Sequence, residues 1–131
     1  MNIKEELLEY KNSNKSNPLM DNNLIAVFME IKPIKGFNEF NNNQAYYYYN
    51  NSKTKDYEAI PDYKNSWDEL MPVVEKINER DWVTIYSDEC KIHSLQVNEF
   101  EDIIITREGQ PLIDSVYEAV LKYVKNIKIN N

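Results

Sequence analysis

The sequence predicts an α/β (α+β) fold, a layered α-β-α sandwich with an antiparallel-rich sheet and two principal amphipathic helices. Three observations predict it. Apolar residues recur at helical spacing in two long stretches, Trp67–Ile77 and Leu112–Val124. Between them lie short runs rich in β-branched and aromatic residues, Trp82–Tyr86, Glu89–Ser94 and Phe100–Thr106, separated by turn formers. The whole order reads helix, strand, variable strand region, helix, hairpin, strand, helix, which suits helices layered on a sheet. At 131 residues the chain has the length of one domain, and 42% hydrophobic against 28% charged residues excludes a wholly disordered chain.

The elements follow in order. Ile3, Leu7, Leu8 and Tyr10 share a helical face, so a short N-terminal helix is expected. It is too short to persist alone and must dock on something. Lys11 to Asn23 is rich in Asn, Ser and Lys, contains Pro18, and reads as a loop. Residues 1–23 therefore form a helix and polar loop ahead of one domain over residues 24–127. Leu24–Ile31 reads as the first strand, its front half apolar on both faces, with Pro33 and Gly36 ending it. Residues 37–64 form a variable, insert-like region. Its Tyr46–Tyr49 run favours an extended segment over Gln44–Tyr49, and alternation places Tyr46 and Tyr48 on one face, Tyr47 and Tyr49 on the other.

Ser66 and Glu69 make a capping box at the start of the clearest helix, and Asp68 and Glu69 complement its dipole. Trp67, Leu70, Met71, Val74 and Ile77 form its apolar stripe, with Trp67 facing the core. Pro72 lacks the N–H that would bond the Asp68 carbonyl, so a local bend or a later helix start is expected. Helix gives way near Glu79–Asp81 to a hairpin that turns at Ser87-Asp88, with Cys90, Ile92 and Ser94 on one face. Gly109 breaks the strand that follows, and Pro111 suits the first turn of a helix running to Asn126, with Ile127 as an extension. Leu112, Val116, Ala119, Val120, Tyr123 and Val124 make its apolar face.

Two of these blocks resemble one known family. Leu24-Ile25-Ala26-Val27-Phe28-Met29 is similar to the "LIAEFM" opening of the phage ABA-sandwich domain family, and Ser66–Ile77 is similar to its "SWDWLMPVVEKI" block, helical proline included. Ile113–Val124 resembles the family's final helix more loosely, so the likeness spans Leu24 to Val124. Family members often carry Gly where this chain has Glu30. The resemblance implies a compact α-β-α arrangement and a phage or prophage origin in bacteria of Bacteroidetes type. It transfers no catalytic residue.

Composition and motifs narrow the chemistry. Fifteen Lys and Arg against 22 Asp and Glu give a net charge of -7, which disfavours a protein that coats nucleic acid. Cys90 and His93 are the only cysteine and histidine, so neither an intrachain disulfide nor a Cys/His zinc site is expected. Three residues apart on a strand, they point to opposite faces and make a poor nucleophile–base pair. Gly36 and Gly109 are the only glycines, too few for a phosphate-cradling loop. Asp68, Glu69 and Glu75 could be imagined in a hydrolase, but capping and solvation account for them. No catalytic residue, metal ligand set or cofactor is assigned. No stretch has the length of a membrane span, and the start lacks the apolar core of a signal peptide, so a cytoplasmic location is expected, which the resemblance places in a bacterial host cell.

What remains is aromatic. Tyr46, Tyr47, Tyr48, Tyr49, Tyr57 and Tyr63, with Lys53, Lys55 and Lys64, are the candidate ligand or partner contacts. The expected function is a non-enzymatic phage or prophage accessory protein acting by protein–protein interaction, through self-association or with a host or phage protein. One alternative is a protein that binds or sequesters a nucleotide-like small molecule to counter bacterial defence, with Tyr stacking and Lys on the anion. Another is a hydrolase with an acidic site.

Overall fold

The computed structural model describes residues 3–13, 15–85, 89–93, 102–105 and 111–126. It is mixed α+β, with every strand pairing antiparallel. The strands make two separate three-stranded sheets where one was expected. The chain divides into two compact units, Met1–Pro61 and Asp62–Asn131. The division thus falls inside the span read as one domain, and the boundary expected at residues 23/24 falls inside a helix.

The first unit contains α1 (Ile3–Lys11), α2 (Pro18–Phe28), β1 (Ile34–Asn38), β2 (Gln44–Asn51) and β3 (Asp56–Ala59). The helix α1 buries Leu7 and Tyr10, while Leu8 of the expected apolar face is exposed. The helix α2 replaces the strand expected at Leu24–Ile31 and part of the expected loop. Its start has a physical cause: Asn17 caps it by accepting from the Leu19 N–H at 3.1 Å, and Pro18 brings a helix-compatible φ to the first turn. Leu24, Ile25 and Ala26 are all buried, so the run is apolar because the helix is covered on most sides. Its end is a left-handed cap. Glu30 has φ 65°, its N–H bonds the Val27 carbonyl, and the Ile31 N–H reaches the Ala26 carbonyl at 2.9 Å. Buried Tyr10 ties the helices together, donating to Asp21 Oδ1 at 2.5 Å and accepting from the Asn17 N–H at 2.8 Å.

Beyond α2, Pro33 and Gly36 do not end a strand; Pro33 precedes β1 and Gly36 lies within it. The order is β1-β2-β3, with Gly36 opposite Tyr46, Ile34 and Ala59 both opposite Tyr48, and Tyr57 opposite Asn50. Asn42 and Asn43 take positive φ in the first connection and Lys55 in the second, conformations Asn tolerates well.

The second unit contains α3 (Trp67–Asn78), β4 (Trp82–Ile85), β5 (Cys90–His93), β6 (Asp102–Ile105) and α4 (Leu112–Asn126). Two expectations for α3 need correction, and of the third, a bend at Pro72 or a later helix start, the later start is ruled out. Ser66 occupies the cap position in extended backbone, but its side chain makes no cap hydrogen bond, so the capping box does not form. Trp67 is 39% exposed and lies outside the core, which is made by Leu70, Val73, Val74 and Ile77. The helix starts at Trp67 and continues through Pro72. Pro72 and Asp68 are both exposed, so water can serve the carbonyl that Pro72 leaves without a donor.

Strand β5 is central in the β4-β5-β6 sheet and buries Cys90 and Ile92. The helix α4 contacts β5, β6 and α3, and buries Val116, Ala119, Val120, Tyr123 and Val124. Pro111 stands just outside α4, its carbonyl accepting from the Asp114 and Ser115 N–H groups at 3.0 and 3.2 Å. Tyr123 donates to buried Asp81 Oδ2 at 2.6 Å, joining α4 to the residue before β4. The expected Ser87-Asp88 turn, Ser94, Phe100, Thr106, the Gly109 break and the Ile127 extension lie outside the described residues.

Candidate functional site

Register in the first sheet sorts its side chains onto two faces. Ile34, Gly36 and Asn38 of β1 share a face with Gln44, Tyr46, Tyr48 and Asn50 of β2 and with Tyr57 and Ala59 of β3. No residue of this face carries a charge, in a chain of which 28% is charged. The opposite face carries Lys35 and Phe37, then Tyr47 and Tyr49, then Asp56 and Glu58. There Lys35 Nζ pairs with Glu6 of α1 at 3.1 Å, which raises the Lys35 pKa, and lies 5.4 Å from the Phe37 ring centroid. Tyr49 donates to Glu58 at 3.3 Å, and Asn51 also bonds Glu58. α2 contacts β2, whose Tyr47 and Tyr49 are half-buried.

On the uncharged face three tyrosines form a row across two strands. Tyr46 and Tyr48 lie 5.7 Å apart between ring centroids at a 30° tilt. Tyr48 and Tyr57 are also 5.7 Å apart, edge to face at 78°. Tyr46 is 48% exposed and Tyr57 is 68% exposed, with half-buried Tyr48 between them. Gly36 has a specific role here. A Cβ at that position would stand 2.5 Å from Tyr46 Cζ, so the missing side chain is what lets the ring lie over the neighbouring strand.

At the β1–β2 end of the sheet an open depression of about 530 Å³ is lined by Phe37, Asn38, Glu39, Phe40 and Tyr46. Phe40, at 99% exposed, is the most exposed large apolar residue described. Sequence reasoning passed over Phe37 and Phe40. For Phe40 the available signal was an aromatic residue inside an asparagine-rich turn; Phe37 lies near the end of β1.

The structure brings only some of the candidate residues together. Tyr46, Tyr48 and Tyr57 converge, while Tyr47 and Tyr49 face the other way. Lys53 and Lys55 sit in the β2–β3 connection, at the end of β2 opposite the depression. The run from Tyr46 to Asn51 spans about 17 Å at about 3.3 Å per residue. Stacking tyrosines and an anion-binding lysine pair are therefore not assembled in that depression. Tyr63 and Lys64 belong to the second unit, where Tyr63 is buried and Lys64 exposed.

Among the described residues the other chemistries find no assembled site. Asp68, Glu69 and Glu75 are exposed along α3. Burial pushes the Cys90 thiol up to about 11, so at neutral pH it is protonated and weakly nucleophilic. Among the described residues no group of three or more His, Cys, Asp or Glu side chains could hold a metal ion, and no helix is long and apolar enough to cross a membrane. No family model, no curated protein and no solved structure matches the chain.

Proposed function

We propose that the chain is a non-enzymatic binding protein that acts by protein–protein contact through the uncharged tyrosine face of its first unit. The single observation that carries this reading is the Tyr46–Tyr48–Tyr57 row, whose two outer rings stand open to solvent without a charged residue on their face. Tyrosine suits such a role because it offers a large rigid apolar surface and a hydroxyl at a low entropic cost. Interface centres are likewise depleted in charge and enriched in aromatic residues. The likeness of Leu24–Met29 and Ser66–Ile77 to phage ABA-sandwich sequences supports an accessory role for a phage or prophage, exerted in the cytoplasm of a bacterial host.

The test uses the tagged full chain as bait in bacterial extract. The paired substitution Tyr46→Ser and Tyr57→Ser abolishes recovery of the bound protein while far-UV circular dichroism stays unchanged. Lys53→Ala with Lys55→Ala leaves recovery intact. Recovery that survives loss of the two tyrosines and fails with loss of the lysines would refute the reading.

A further inference from the structure

We infer that the occupant of the tyrosine face is a second copy of this chain, docked face to face in a weak symmetric dimer. This inference rests on the reading of that face as a protein-contact surface. Three observations select the partner. The polar groups on the face are tyrosine hydroxyls and Asn or Gln amides, each of which both donates and accepts. Such a surface is complementary to itself. The amide oxygens of Asn38 and Gln44 already accept from the Phe40 N–H and the Asn41 amide. A two-fold copy can supply partners for the tyrosine hydroxyls and the other amide groups, whereas a charged partner would bury its charge with no counter-charge to meet it.

The second observation is where the charge lies. The sequence has seven lysines against eight carboxylates in residues 1–61, and eight Lys or Arg against fourteen carboxylates in residues 62–131. Two chains of net charge -7 repel one another in general. Contact between uncharged sheet faces of the near-neutral units brings copies together with the least like-charge repulsion.

The third is shape. Sheets stack face to face about 10 Å apart, with side chains of the two faces interdigitating. The exposed rings of Tyr46 and Tyr57 flank half-buried Tyr48, so the face offers two aromatic side chains to an opposing sheet. One face of a three-stranded sheet is smaller than the roughly 800 Å² per partner of a standard stable interface, so the dimer is weak and concentration-dependent.

Sedimentation velocity on the full chain tests this. The wild type shifts from the 15.6 kDa monomer toward twice that mass between about 10 μM and 1 mM, the range expected of a small interface. The pair Tyr46→Glu and Tyr57→Glu sets like charges against one another and weakens association at least about 10-fold. The pair Tyr46→Lys and Tyr57→Lys does the same, and an equimolar mixture of the two variants regains the dimer. Circular dichroism of each variant matches the wild type. A wild type that stays monomeric to about 1 mM, or a glutamate variant that associates like the wild type, overturns the inference. A monomeric wild type whose glutamate variant still loses a captured cellular protein overturns self-association alone and leaves the binding reading standing. Absence of both association and capture sinks the two together.

Discussion

Among the described residues the two units are built from the same parts, two helices and a three-stranded antiparallel sheet, and they place their apolar side chains differently. In the second unit the central strand β5 buries Cys90 and Ile92, and helix α4 contacts the sheet. In the first, the central strand β2 carries four consecutive tyrosines and none is buried, while α1 and α2 supply the buried Leu7, Met20, Leu24, Ile25 and Ala26. The comparison teaches that a central strand need not be a core strand. Tyrosines can cover one another and a glycine backbone, leaving a face that folding has not used up.

The largest expected effect tests this contrast directly. Ile92→Ala should cost about 2–5 kcal/mol, as large-to-small changes in packed cores do. Tyr46→Ala on β2 should cost less than about 1 kcal/mol, as a half-exposed strand residue. Urea midpoints at fixed protein concentration measure both. Equal losses would erase the distinction between the two central strands.

Next come the two buried tyrosine–aspartate contacts, a feature the units share. Tyr10→Phe and Tyr123→Phe should each destabilise by about 1–3 kcal/mol, since each leaves a buried aspartate short of a donor. Their pH dependence separates them from ordinary packing changes. Burial, reinforced by the Asp21 contact, raises Tyr10 from the usual 10.0 to about 12. Tyr123 is raised for the same reasons, burial first and Asp81 second. A folded state that favours the neutral phenol is fully stable below pH 10, and it loses that contribution as pH rises from 10 toward 12. The desolvated Cys90, raised to about 11 from 9.0, begins the same kind of loss near pH 9. Stability should therefore fall above pH 9, and Tyr10→Phe should flatten the part above pH 10. A wild-type curve level to pH 12 would remove the case for buried neutral phenols.

A smaller gain is expected at the end of α2. Glu30 holds φ 65°, where a side chain is strained and glycine is not. Glu30→Gly should raise stability by about 1 kcal/mol, read as a higher melting temperature. No gain would mean that the cap is held by contacts of the Glu30 side chain. The smallest effect belongs to Gly36→Ala. The added Cβ must push aside the Tyr46 ring, which can swing outward, so the stability change should stay within about 0.5 kcal/mol. The aromatic nuclear Overhauser contacts between Tyr46 and Tyr48 should weaken all the same. Unchanged contacts would show that the ring does not depend on the glycine.

Legibility in the sequence varied by residue, for physical reasons. The helices α3 and α4 were readable because each buries one face, and a half-buried helix writes its 3.6-residue period into the chain. The β4 and β5 strands and the strand in the tyrosine run were readable from alternation and residue type. The helix α2 was misread because Leu24, Ile25 and Ala26 are covered on all sides, and a run without a polar face carries no period. The Asn17-Pro18 start was its true signature. The β1 and β3 strands were missed because both are short and mostly exposed edges without apolar alternation.

By itself the sequence determined the mixed α+β class, the amphipathic faces of α3 and α4, and the alternation that parts Tyr46 and Tyr48 from Tyr47 and Tyr49. Those are local properties, set by spacing along one chain segment. Tertiary structure alone decided that the described strands form two sheets, and that Tyr57 joins Tyr46 and Tyr48 while Lys53 and Lys55 do not. These outcomes depend on which strands pair and in what register, and pairing between distant segments leaves no mark in either segment read alone.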